Sequence, residues 1–81
     1  MARITRARMN QEADYLENTA APRSDRAAAS GDQAATDPTN SPHIQACAAR
    51  AAEFARGHAR EYREMAAELR AGDIPEGFRF D

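Results

Sequence analysis

Polar and apolar positions follow a helical period most sharply between Ser41 and Gly72. Wound at about 100° per residue, Ile44, Cys47, Ala48, Ala51, Phe54, Ala55, His58, Tyr62, Met65, Ala66 and Leu69 fall in one sector roughly 140° wide, the width of a core-facing stripe. Glu53, Glu61, Glu64 and Glu68 gather in a second sector, and Arg56, Arg60, Arg63 and Arg70 in a third, with only Arg50 crossing to the acidic side. This sorting predicts one continuous helix over about 42–71, some 45 Å long at 1.5 Å per residue. Ser41 is a good N-cap, Pro42 suits the first helical position, and Gly72 tolerates the left-handed residue that ends many helices. Gly57 is the weak point, costing about 1 kcal/mol against Ala in a helix interior. The stripe also steps by four and three, through Ile44, Ala48, Ala51, Ala55, His58, Tyr62, Met65 and Leu69, as a coiled-coil seam does. Its alanines admit a close neighbour, expected to be a helix of the same chain rather than a second copy.

Upstream, Thr5 is a good cap, and Met9, Ala13, Leu16 and Ala20 recur at helical spacing. They predict a shorter helix over about 6–20, ending before Pro22. Arg6 and Arg8 stand at the positive end of its dipole, which disfavours them by a few tenths of a kcal/mol each. They are expected to pair with acids on the long helix, the alternative being a partner or phosphate contact. Residues 22–41 contain no large apolar side chain, and Ser30 and Gly31 interrupt a short run of alanines. That segment reads as a thin middle helix or a flexible connection, closed by the loop residues Asp37, Pro38, Thr39 and Asn40. After Gly72, Ile74 is expected to fold back on the last turn, and Phe78 and Phe80 to dock on Met65 and Leu69. The fold class predicted is all-α, a single small helical domain over residues 1–81.

Composition changes the picture in one respect. The 81 residues include 20 alanines but only eight Leu, Ile and Phe together, and no Val or Trp. A core this poor in large side chains sits near the level where a partner, or partial disorder, enters the account. All eleven basic residues are arginine and the net charge is −2, which argues against a general nucleic-acid binder. The Arg and Ala excess fits a GC-rich genome. A single cysteine excludes an internal disulfide, and no apolar run is long enough for a signal sequence or a membrane span. A cytoplasmic protein of a bacterium or phage is the expectation.

Chemistry is sparse. His43 and Cys47 share a helix face, but nothing else orients them toward thiolate chemistry, so Cys47 reads as structural. His58 reads as a core histidine. It lies roughly 22 Å from His43 by helix rise, too far to share a metal. Glu61, Glu64 and Glu68 alone are a weak cation site. No nucleotide-binding, zinc or protease pattern occurs, so neither enzyme activity nor any cofactor or metal is expected.

In its size, helical build, charge-sorted surface and lack of catalytic motif, the chain resembles the small anti-CRISPR inhibitors of phages and mobile elements; no motif carries the likeness. The resemblance implies a protein that binds a CRISPR effector complex, of type I, and blocks its access to target DNA. An acidic stripe of Glu53, Glu61, Glu64 and Glu68 would then act as a DNA mimic on a basic groove. If the partner surface is acidic instead, Arg56, Arg60 and Arg63 would carry the interface. Two rival readings are a small DNA-binding regulator using the N-terminal arginines and a structural module that dimerises through the long helix.

Overall fold

The structure, a computed structural model, describes residues 3–80. Arg6–Tyr15 (α1), a π-helical turn at Leu16–Ala20 and Ala21–Thr36 (α2) follow one another without a break, and Pro42–Arg70 (α3) returns beside them. The result is an all-α antiparallel hairpin 54 Å long and 20 × 19 Å across. Two caps start the arms: Thr5 Oγ1 accepts from Arg8 N at 3.1 Å, and Ser41 Oγ accepts from Ile44 N at 3.2 Å. The turn between them is closed by its own polar groups. Asp37 Oδ1 accepts from the backbone and hydroxyl of Thr39 at 2.9 and 2.7 Å. Asn40 Nδ2 donates to the Ala34 carbonyl, and Gln45 Nε2 to that of Asp37, so carbonyls left open by the end of α2 find partners.

The first arm does not end before Pro22; of the two readings of residues 22–41 the helix holds, over Ala21–Thr36, but it continues the first arm instead of standing apart from it. In a regular α-helix the ring of Pro22 would press on the carbonyl four residues back. Here the preceding turn is widened, with the Ala21 N–H reaching the Leu16 carbonyl five residues back. A π turn also inserts one extra residue, and the burial pattern requires it. Through α1 and the π turn the inner positions are Met9, Ala13, Leu16 and Ala20; in α2 they are Ala21, Ser24, Ala28, Gly31 and Ala35. Continuing the first series in steps of three and four would bring Arg23, Ala27 and Ser30 inward. The observed series is displaced by one, and adjacent Ala20 and Ala21 are both buried.

The phase of α3 also differs from the expectation. Ala48, Ala55, Tyr62 and Leu69 lie inward, but they alternate with Gln45, Ala52, Ala59 and Ala66 rather than with Ile44, Ala51 and His58; Met65 is half-buried at the open end, as expected. Ala52 and Ala66 are fully buried, while Ile44 and Phe54 are 50% and 66% exposed, and Cys47, Ala51 and His58 are exposed. Close backbone approach selects this phase. A Cβ added to Gly31 would stand 2.9 Å from the Ala48 carbonyl oxygen and 3.0 Å from Ala52 Cβ. Only small residues fit between arms this near, so alanines occupy the seam and larger side chains rotate out.

Large side chains collect at the open end of the hairpin. Met9, Leu16 and Leu69 form the cluster there with Ala13, Ala20 and Ala66, and Tyr62, Met65, Phe78 and Phe80 pack on it. The tail is brought back by Gly72, at φ 92°. Gly72 N–H donates to the Leu69 carbonyl and Asp73 N–H to that of Glu68, the two bonds of a Schellman cap. Pro75 is buried, and Phe78 and Phe80 meet edge to face at 4.9 Å. The docking of both rings follows the sequence reading; Ile74, 50% exposed, does not fold under as expected.

Two predictions test this packing. A Cβ at Gly57 meets nothing within 4 Å, so Gly57→Ala should stabilise the chain by about 0.5–1 kcal/mol in urea unfolding. The same change at Gly31 should lower stability, because overpacking of about 1–3 kcal/mol outweighs the gain in helix propensity. Second, deleting Asn18 in a Pro22→Ala background brings both inner series of the first arm into one unbroken heptad phase. That double variant should melt no lower than Pro22→Ala alone, whereas inserting one alanine after Asn18 should lower the midpoint by several degrees or more.

Candidate protein-binding face

The charged residues of α3 separate by what the fold does with them. Arg56 Nη1 binds both carboxylate oxygens of Asp32 at 3.0 and 2.8 Å. Arg63 holds Asp25 in a fork, with its shorter bond 2.6 Å. Arg70 reaches Glu17 at 3.1 and 3.2 Å and Asp14 at 2.8 Å. The arginines recur every seven residues, as do Asp25 and Asp32; the next step back would be Asn18. The extra residue of the π turn places Glu17 there instead. These contacts therefore form a ladder along one side of the hairpin. The pairs are well exposed to solvent, and such screened pairs add little to stability. Their stronger effect is on register, since a slip of either arm breaks all of them together.

Electrostatics follow this geometry. The hydrogen bond from Arg63 holds the Asp25 carboxyl below its ordinary value, and Arg63 is raised in return by Asp25. Arg70 is raised first by its hydrogen bond to Glu17 and then by that to Asp14. The hydroxyl and then the backbone N–H of Thr39 lower Asp37.

Of the seven residues that sequence pattern singles out for partner contact, Arg56 and Arg63 are thus engaged within the chain. Arg60 is exposed, lining a shallow groove with Arg56, Arg63 and Glu64. Glu53, Glu61, Glu64 and Glu68 are all exposed. Glu61 stands 3.8 Å from His58 Nδ1; among the described residues no ion pair ties Glu53, Glu64 or Glu68 to the first arm. Among the described residues no ion pair joins Arg3, Arg6 or Arg8 to the long helix. Arg8 binds Glu12 of its own helix at 3.1 Å and lies 5.7 Å from the Phe80 ring centre. Arg6 Nη1 occupies the space a Cβ at Gly72 would need. Acids of the first arm instead take arginines of α3. The matched sevenfold spacing of Asp25 and Asp32 with Arg56, Arg63 and Arg70 was the available signal for this.

Beside the acidic residues runs a second apolar strip, Ile44, Cys47, Ala51 and Phe54, continued by His58. Cys47 is exposed and not part of the core, with Sγ 3.7 Å from His43 Nε2. His58 is likewise outside the core, stacked on Tyr62 at 6.3 Å. Among the described residues no three metal-ligating side chains come together, and no helix is long and apolar enough to cross a membrane. No protein-family model, curated protein or solved structure matches the chain.

A pH dependence follows from the depressed carboxyls. Because the folded-state values of Asp25 and Asp37 lie below the unfolded ones, their contribution is present above the ordinary carboxylate range. It is lost as pH falls through the folded values. The raised arginines would lose theirs only above the arginine range. The thermal midpoint should therefore hold steady from neutrality to about pH 5 and fall below about pH 4. Asp25→Asn should show a shallower fall in the same calorimetric series.

Proposed function

We propose that this chain is a non-catalytic inhibitor that docks on a basic protein surface through the outer carboxylates of α3. The observation that carries the reading is the division of charge. Arg56, Arg63 and Arg70 are engaged by the first arm, whereas Glu53, Glu64 and Glu68 face outward without a partner on it. Glu61, Glu64 and Glu68 lie a turn apart, three charges within roughly 10 Å of helix. Such a row is a coarse counterpart of the phosphates of a DNA strand, spaced about 3.4 Å in rise. The resemblance to anti-CRISPR proteins supplies the partner, the nucleic-acid groove of a type I CRISPR effector, and the consequence, blocked access to target DNA. Arg50 lies among the acids and Arg60 borders them beside Glu64, so the face reads as a patterned surface with register as well as charge.

Charge reversal tests this. Glu61→Arg, Glu64→Arg and Glu68→Arg together should weaken binding to the effector at least tenfold, or about 1.4 kcal/mol, with helicity by circular dichroism unchanged. The affinity of the wild type should fall with added salt, as exposed charges are screened over about 8–10 Å. Arg60→Glu, which leaves the ladder untouched, tests the basic alternative. Wild-type affinity in the glutamate triple, or a larger loss from Arg60→Glu, would move the interface off the acidic row.

A further inference from the structure

The apolar strip on α3 is left bare by the chain's own packing. Phe54 and Ile44 are 66% and 50% exposed, and shallow grooves flank Phe54 on both sides. The ion-pair ladder occupies the opposite side of the hairpin, and helix geometry places Ala27 and Ala34 of α2 next to the strip, so this flank is wide and apolar along its centre line. We infer that it is the interface of an antiparallel homodimer in which the α3 helices of two copies pack across it, closing a four-helix bundle. The inference goes beyond the proposed function and does not depend on it.

Three observations select a second copy as the occupant. The first is area. The chain exposes 5902 Å², against about 4,800 Å² for a compact monomer of 8.9 kDa. The excess, on the order of 1,000 Å², matches the share of one partner in a standard interface, about 800 Å². Shape is the second. A two-fold axis crossing α3 between Ala52 and Glu53 sets Phe54 over the partner's Ala51, and Cys47 beside the partner's His58, large against small in each layer. Charge is the third. His43 lines the groove at one end of the strip and Glu53 and Glu61 the groove at the other, with Arg50 on the rim of both. Antiparallel pairing about this axis brings Arg50 toward the partner's Glu53 and His43 toward the partner's Glu61. Glu64 and Glu68 lie beyond the overlap and remain open in the dimer.

Sedimentation and crosslinking test the arrangement. At about 100 µM, above the micromolar range expected of an interface this size, the wild type should sediment at twice the 8.9 kDa chain mass. Phe54→Arg should give a monomer with unchanged circular dichroism, because the Phe54 ring lies outside the core of a single hairpin. In the antiparallel pair the two Cys47 residues are roughly 16 Å apart along the axis, so mild oxidation should not crosslink the wild type. His58→Cys should then form a covalent dimer through Cys47 and the new thiol. A monomeric wild type, a Phe54→Arg variant that stays dimeric, a wild type that crosslinks through Cys47, or a His58→Cys variant that does not crosslink would each overturn the inference.

Discussion

Everything in this hairpin depends on how near its two arms stand. Gly31 has no room for a methyl group against Ala48 and Ala52, and that distance admits only small side chains along the seam. Ala28, Ala52, Ala59 and Ala66 are accordingly buried, each removing little apolar area but letting two backbones pack with few voids. Larger residues are displaced to two places. Some cluster at the open end, where the tail rings cover them; others are pushed onto the outer flank of α3.

The π turn is the second consequence of the same constraint. The small residues of α1 and α2 are one position out of phase, and a regular helix would have carried Arg23 into the seam. One extra residue in the turn before Pro22 restores the phase and relieves the proline. It also resets the ion-pair ladder, which is why Glu17 and not Asn18 meets Arg70. Proline, seam and ladder thus share one local adjustment.

For function, the packing gives the two sides of the molecule different characters. One side is held by guanidinium–carboxylate pairs and has little charge to offer a partner. The other carries exposed carboxylates and an uncovered strip centred on Phe54. A binding role draws on that second side, whether the surface it meets is a basic groove or another copy of the hairpin.

Sequence by itself determined the all-α class, the bounds of α3, its caps at Ser41 and Gly72, and the return of the tail rings to Met65 and Leu69. Each of these rests on local chemistry: a hydroxyl within reach of a free N–H, a residue able to take positive φ, a charge pattern repeating at 3.6. It also picked out the exposed acids of the candidate face, because a helix wheel sorts charges without knowing the partner. Only the tertiary structure decided which apolar face of α3 turns inward. The wheel placed Ile44 and Phe54 inward on size, while close approach rewards the smallest residues at the line of contact. Tertiary structure also decided that the first arm runs on through Pro22, since the cost of proline is set by whether the neighbouring arm supports a widened turn. The engagement of Arg56 and Arg63 was settled there too, because it needs Asp25 and Asp32 on a helix that the weak local signal of residues 22–41 did not promise.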